Sequence, residues 1–328
     1  MKGNPKLEMD EIMLRFPHLM EQVLQKLDDK GLLKSREAAR LWQEFIDAQQ
    51  YPWLRIVNIP TILNLGHICN TYMHLAAKKG QIEMFKVIFD SETDNNLETV
   101  DCSNSLHLAC RYGRVKVVEM LLTKSDDLKV DLRRKTTIGH TNGHTAFHSA
   151  CFGGSSEISE LMMKNSHKLK IDLNEVNDHY LLTGFIYACR LGHTEIVSMI
   201  IKNSKCMNIK LNTLDFYNRN AFHYACQYDH LEIAKIIMEE FTRLKFDLNA
   251  QDKAGFTAFI IACATGSMSI VNMMLDQSQI DLSLKTENGC TGFHITCLYG
   301  RTNIVEILIN KSESTNLDVT AQGLNMKD

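Results

Sequence analysis

Thr145-Ala-Phe-His-Ser-Ala-Cys151 is the stretch that decides the fold, because the chain writes it seven times. Close copies are Thr183-Gly-Phe-Ile-Tyr-Ala-Cys189, Asn220-Ala-Phe-His-Tyr-Ala-Cys226, Thr257-Ala-Phe-Ile-Ile-Ala-Cys263 and Thr291-Gly-Phe-His-Ile-Thr-Cys297. More diverged copies are Thr71-Tyr-Met-His-Leu-Ala-Ala77 and Asn104-Ser-Leu-His-Leu-Ala-Cys110. Their last residues are separated by steps of 33, 41, 38, 37, 37 and 34. A self-similar period of that size marks a stack of identical supersecondary units.

Each copy has the same sequel. Three residues on comes Gly80, Gly113, Gly154, Gly192, Gly266 or Gly300, with Asp229 in the remaining unit. A residue that tolerates the left-handed conformation there ends a helix. A second apolar run at helical spacing follows, such as Val117, Val118, Leu121 and Leu122. The opening Thr or Asn is a helix N-cap residue. Each unit therefore reads as helix, tight turn, helix, loop. The loops carry an apolar-Asp-Leu-Asn theme, as in Ile171-Asp-Leu-Asn174 and Phe246-Asp-Leu-Asn249.

This pattern resembles the ankyrin repeat, whose signature is Thr-Pro-Leu-His-x-Ala-Ala followed by Gly-His and an apolar helix. The resemblance covers about residues 61–319. No copy keeps the Pro: Pro5, Pro17, Pro52 and Pro60 all precede the array. Leu is often Phe, and His becomes Ile at Ile186 and Ile260. The resemblance implies an all-α solenoid of seven helix-turn-helix units with short β-turn fingers, and it places the finger starts at Asp178, Asp215 and Asp252. Ankyrin partners dock on the fingers and on the residues just before the Gly. Carried over, the expected partner-binding residues on the concave face are Lys79, Arg111, Tyr112, Phe152, His179, Tyr180, Arg190, Phe216, Tyr217, Arg219, Tyr228, Phe256 and Tyr299. Tyr, Phe and Arg recur among them, residue types enriched at interface hot spots.

Length and composition agree with an array. A chain of 328 residues exceeds one ordinary core, whereas a repeat stack grows without that limit. Net charge is −3, with no polybasic block, so neither nucleic acid nor an anionic membrane is implied. No secretory signal and no apolar run near the ~20 residues of a membrane span is present, so Asn310-Lys-Ser312 is expected to be an idle glycosylation acceptor. Six of the ten cysteines (Cys110, Cys151, Cys189, Cys226, Cys263, Cys297) hold the same small-residue position of a helix. That pattern points to buried free thiols in a reducing compartment, the cytoplasm or alternatively the nucleus.

Before the array, residues 1–10 read as disordered and 11–50 as helical, with Leu19, Met20, Val23, Leu24 and Leu27 on one face. Leu27-Asp-Asp-Lys-Gly-Leu-Leu-Lys-Ser-Arg36 and Ala38-Ala-Arg-Leu-Trp42 look like an F-box. Phe16-Pro17 stands one residue out of register with the family's Leu-Pro opening, and Glu37 replaces an apolar residue. The resemblance implies binding to a Skp adaptor of a cullin ubiquitin ligase through Pro17, Leu19, Met20, Leu32 and Leu33. The other reading is a helical cap on the first repeat. Residues 51–60 carry two prolines, which forbid a helix, and read as a strap. Residues 320–328 form a short polar tail. The last unit shows no polar face, so that end is weakly capped, partner-covered or cut from a longer array.

Architecture explains the repeated chemistry better than catalysis does. His107/Cys110, His148/Cys151, His223/Cys226 and His294/Cys297 have the spacing of half a zinc site. Neighbouring helices pack about 8–10 Å apart, too far for such pairs to share one ion. No nucleophile elbow, phosphate loop or zincin motif occurs. The expected protein is non-catalytic and without cofactor or metal. It is either a substrate receptor of an SCF-type ubiquitin ligase, with the target on the array, or an ankyrin scaffold or blocking protein whose N-terminal helices are a cap.

Overall fold

The computed structural model describes residues 76–83, 85–86, 102–123, 135–136, 143–168, 170–244 and 246–315. The F-box-like segment, the strap and both polar ends lie outside the described residues. Every regular element among the described residues is a helix, and no strand occurs among them. The chain divides into two compact units, Met1–Ala109 with Arg114–Val130, and Cys110–Gly113 with Asp131–Asp328.

In the first unit, helical turns at 76–79, 82–83 and 85–86 precede α1 (Cys102–Arg111, which crosses the boundary at Cys110) and α2 (Val115–Thr123). Val117, Val118 and Leu121 of α2 are fully buried. The Arg114 Nε–H donates to the Lys78 carbonyl at 2.8 Å, tying one helical pair to the next.

Among the described residues the second unit holds five helical pairs. The inner helices are α3 (Ala146–Gly153), α5 (Gly184–Leu191), α7 (Ala221–Gln227), α9 (Ala258–Thr265) and α11 (Gly292–Leu298). The outer helices are α4 (Ser156–Asn165), α6 (Thr194–Asn203), α8 (Leu231–Leu244), α10 (Met268–Leu275) and α12 (Thr302–Thr315). Inner helices stack on inner and outer on outer, in chain order. The inner helices are only seven or eight residues long, too short to persist alone in water. Packing therefore holds them. Phe147, Phe185, Phe222 and Phe259 occupy one position in four successive units and are at most 2% exposed. Removing any one to Ala would cost about 3–5 kcal/mol.

In the second unit the caps form as the sequence predicts, whereas Asn104, expected to cap α1, lies inside it because the helix starts at Cys102, and Thr71 lies outside the described residues. The Thr145, Thr183, Thr257 and Thr291 side chains each accept the backbone N–H three residues on, and Asn220 does the same. The Gly at the inner-helix end answers two demands, seen at Gly192. Its φ is +79°, and a Cβ there would lie 2.7 Å from the His230 ring of the next unit. That ring needs the space, because its Nε2–H donates to the Arg190 carbonyl at 3.0 Å. His193 reaches the Phe152 carbonyl and Arg301 the Ala264 carbonyl in the same way. Asp229 holds the left-handed conformation without being Gly, at φ +56°.

The connecting fingers share one bonding pattern. The side-chain oxygens of Thr136, Asn177, Asp215, Asp252 and Thr286 each accept the backbone N–H of the residue preceding the next cap. This corrects the finger start expected at Asp178. The finger between α4 and α5 has one more residue than the three that follow it, so the buried Asn177 takes the place of Asp215. Asp178 is exposed and pairs with Lys135. Backbone bonds step from finger to finger: Phe216 N–H to the Tyr180 carbonyl, Lys253 N–H to Tyr217 and Glu287 N–H to Ala254. In α11 the pattern of burial changes, with Phe293 half-buried and Cys297 exposed. Earlier units cover those positions with the next inner helix, and no described helix follows α12.

Candidate functional site

Two of the His-x-x-Cys pairs, His148/Cys151 and His223/Cys226, are consumed by the architecture. The Thr145 backbone N–H donates to His148 Nδ1 at 3.1 Å, while Nε2 faces the Leu182 carbonyl at 2.9 Å. A carbonyl only accepts, so Nε2 carries the proton and both ring nitrogens are occupied. His223 Nε2 likewise meets the Phe256 carbonyl at 3.2 Å. Burial holds the His223 pKa below its ordinary value, against the opposing pull of that carbonyl. Cys110, Cys151, Cys189, Cys226 and Cys263 are fully buried, and burial pushes each thiol upward, Cys263 to about 12. Among the described residues no group of three or more His, Cys, Asp and Glu is placed to hold a metal ion.

Buried polar links join inner helices to finger bases. The Tyr224 hydroxyl donates to Asp215 Oδ2 at 2.5 Å, and Tyr187 lies 2.8 Å from His144 Nε2. Burial, then the bond to the Asp215 carboxylate, raises the Tyr224 hydroxyl above its usual range. Arg219 was expected to face a partner. Instead its Nε and Nη2 both donate to Asp252 Oδ2, at 2.9 and 2.8 Å, and Nη1 reaches Gln227 Oε1 at 3.2 Å. The Asp252 side chain is 3% exposed, so Arg219 neutralises a buried carboxylate and is spent within the fold. Phe256 is half-buried and lends its carbonyl to His223.

The remaining expected residues lie at or near the surface. In the first unit Lys79 is exposed. In the second, Tyr112, His179, Tyr180, Phe216, Tyr217, Tyr228 and Tyr299 are exposed, and Arg111, Phe152 and Arg190 are half-buried. Pro17, Leu19, Met20, Leu32 and Leu33 lie outside the described residues. Two successive fingers bring the aromatics together. His179 and Tyr180 rings lie 4.2 Å apart edge-on, Tyr180 faces Tyr217 at 6.2 Å, and Phe216 meets Tyr217 at 5.3 Å. These contacts leave much of each ring in water, Phe216 being 50% exposed.

Two neighbours were missed in the sequence. Leu181 and Leu214 are also exposed, at 42% and 48%, and extend the apolar surface of these fingers. Leu181 further holds φ +57°, a conformation that costs a bulky residue about 1–2 kcal/mol. The only available signal was its register. Leu181 stands two residues before the Thr183 cap, where three other fingers have Gly143, Gly255 and Gly289. Solvent-exposed apolar residues in a strained backbone are a feature of functional surfaces.

No helix among the described residues is long and apolar enough to cross a membrane. A sequence search of curated proteins returned no significant match. The family model described as ankyrin repeats (3 copies) matches residues 73–177, 106–209, 160–252 and 238–322 in overlapping registers. Together these matches span 73–322, about three quarters of the chain, and follow the helical pairs and fingers described above. The chain belongs to the ankyrin-repeat family, whose arrays are protein–protein interaction modules.

Proposed function

We propose that this protein docks a partner protein on the fingers preceding α5 and α7 and on the adjoining inner-helix ends, and presents it to a ubiquitin ligase of the SCF type. One observation carries the docking reading. Tyr180, Leu181, Leu214, Phe216 and Tyr217 sit exposed on consecutive fingers fixed to each other by backbone bonds. A folded monomer rarely leaves large apolar side chains clustered in water without a partner for them. Rigid aromatic anchors lose little conformational entropy on binding.

The ligase reading is supported by the N-terminal sequence. Val23, Leu24, Leu27, Asp28, Leu32, Leu33, Arg36 and Trp42 keep F-box spacing. In this scheme Pro17, Leu19, Met20, Leu32 and Leu33 contact the Skp adaptor, and catalysis belongs to other subunits. A pull-down of the purified chain against the Skp adaptor tests it, with a Pro17→Ala/Leu32→Ala/Leu33→Ala variant alongside. Binding by the wild type alone supports the receptor role. If the folded wild type fails to bind, the N-terminal helices are a cap and the protein is an ankyrin scaffold.

A further inference from the structure

We infer that the docking face is built for an extended acidic segment of the partner, carrying two carboxylates five or six residues apart with apolar residues between them. This rests on the docking reading above and adds the chemistry of what is docked.

Three cations on the face of the second unit are held by rings and by no carboxylate. Arg111 Cζ lies 4.4 Å from the Phe152 ring centroid. Arg190 Cζ lies 5.6 Å from both the Tyr224 and the Tyr228 ring centroids. Lys253 Nζ lies 4.0 Å from the Phe216 ring centroid. Among the described residues none of the three makes an ion pair, whereas Lys135, Arg219 and Lys311 all do. Stacking engages the flat side of a guanidinium. Its N–H edge, the part that recognises a carboxylate, stays available, and the ring fixes where that edge points.

The acidic groups that could have quenched these charges are committed elsewhere. Asp215 accepts from Tyr224 and from backbone N–H groups, Asp252 accepts from Arg219, and Asp178 pairs with Lys135. Asp229 and Glu287 are the exposed acids near this face, one at an inner-helix end and one on a finger. Although the whole chain carries −3, this face presents stacked cations with few acids beside them.

The spacing follows from the stacking. Arg111 rests on Phe152 of α3 and Arg190 on Tyr224 of α7, and α3, α5 and α7 stack in that order within the second unit. At about 8–10 Å per packed helix the two arginines are roughly 16–20 Å apart. Five or six extended residues at about 3.3 Å each cover that distance. Phe152, half-buried beside Arg111 and backed by the buried Tyr187 ring with centroids 5.7 Å apart, offers apolar contact to the segment between the two carboxylates. The fingers and inner helices share this face, because Arg219 on a finger stalk bonds Gln227 on α7.

The test is selection of a random 12-residue phage-displayed peptide library on the full chain. Parallel selections use the Arg111→Ala/Arg190→Ala and Phe216→Ala/Tyr217→Ala variants. The expected peptides carry Asp or Glu at two positions five or six apart, with apolar residues between. A synthetic copy should bind each single Arg→Ala variant about tenfold more weakly and weaken as salt rises. Arg111→Lys and Arg190→Lys keep the charge and lose the planar fork, so they should fall between wild type and Ala. If binding peptides lack the acidic pair, or if a scrambled peptide binds equally, the acidic inference is overturned and docking stands. If repeated rounds select nothing on the folded wild type, both readings fail.

Discussion

Arg219 provides the sharpest test of how this array is held together. Asp252 uses Oδ1 for the Ala254 and Phe256 backbone N–H groups, and Oδ2 for Arg219 alone. Arg219→Ala therefore leaves a nearly solvent-free carboxylate oxygen without a donor. Each charge-assisted bond is worth about 1.5–3 kcal/mol. The two bonds here share one oxygen, and the Arg side chain is 27% exposed, so they add incompletely and solvent screens them. The expected loss is about 2–3 kcal/mol, below the ~3–5 kcal/mol for breaking a fully buried pair. Urea unfolding followed by circular dichroism should show the midpoint falling by roughly 0.7–1 M for an m-value of about 3 kcal/mol/M. Asp252→Asn removes the charge but keeps an oxygen for the two backbone donors. The double variant should then recover about 1.5–2 kcal/mol of the summed losses. A loss under about 0.5 kcal/mol for Arg219→Ala, or a coupling near zero, would refute the anchoring role and return Arg219 to the docking surface.

Leu181→Asn should stabilise the protein by about 1 kcal/mol by relieving the left-handed strain, and an unchanged thermal midpoint would show that no strain is stored there. Gly192→Ala should cost about 2–3 kcal/mol, since it combines a positive φ with a Cβ driven into the His230 ring; a cost below 1 kcal/mol would mean that the ring simply moves aside. His223, whose folded pKa lies below the usual 6.5, binds fewer protons folded than unfolded within that interval. The stability it contributes is complete above about pH 6.5, declines as pH falls toward the folded pKa and is flat below it, so the difference between wild type and His223→Gln should narrow across that window. Maleimide labelling followed by mass spectrometry should modify Cys206 and Cys297 in the native protein, whereas Cys110, Cys151, Cys189, Cys226 and Cys263 should react only on the timescale of unfolding.

The fold was legible in the sequence because each unit repeats the same solution. The cap Thr, the buried Phe and the helix-ending Gly recur in register, so seven weak signals reinforce one another. The finger register was harder to read. A constant spacing of 37 linked Asp178 to Asp215 and Asp252, yet one extra finger residue moves the equivalent role to Asn177. Aromatic exposure at Tyr180, Phe216 and Tyr217 matched expectation, since fingers have little of the chain to cover them. Arg219 did not match. Its fate depends on a carboxylate 33 residues away, and residue type alone does not separate an arginine that anchors the fold from one that faces outward. The F-box-like segment remains a reading of its own residues.

The histidine at the start of the inner helix has a mechanical consequence. His148 and His223 each bond a carbonyl in the following unit, while Ile186 and Ile260 at the same position offer only apolar contact. A hydrogen bond fixes an angle as well as a distance, whereas a methyl contact fixes little more than the distance. The joints α3 to α5 and α7 to α9 therefore carry this extra bond, while α5 to α7 and α9 to α11 keep only the bonds at the helix ends, His230 to the Arg190 carbonyl and Arg301 to the Ala264 carbonyl. Flexing should concentrate at the joints that lack the histidine bond, one of which, α5 to α7, follows the finger that displays Tyr180. The Phe216 N–H bond to the Tyr180 carbonyl keeps the fingers of Tyr180 and Tyr217 in register, so bending there opens the helix side of the joint while the paired rings travel together.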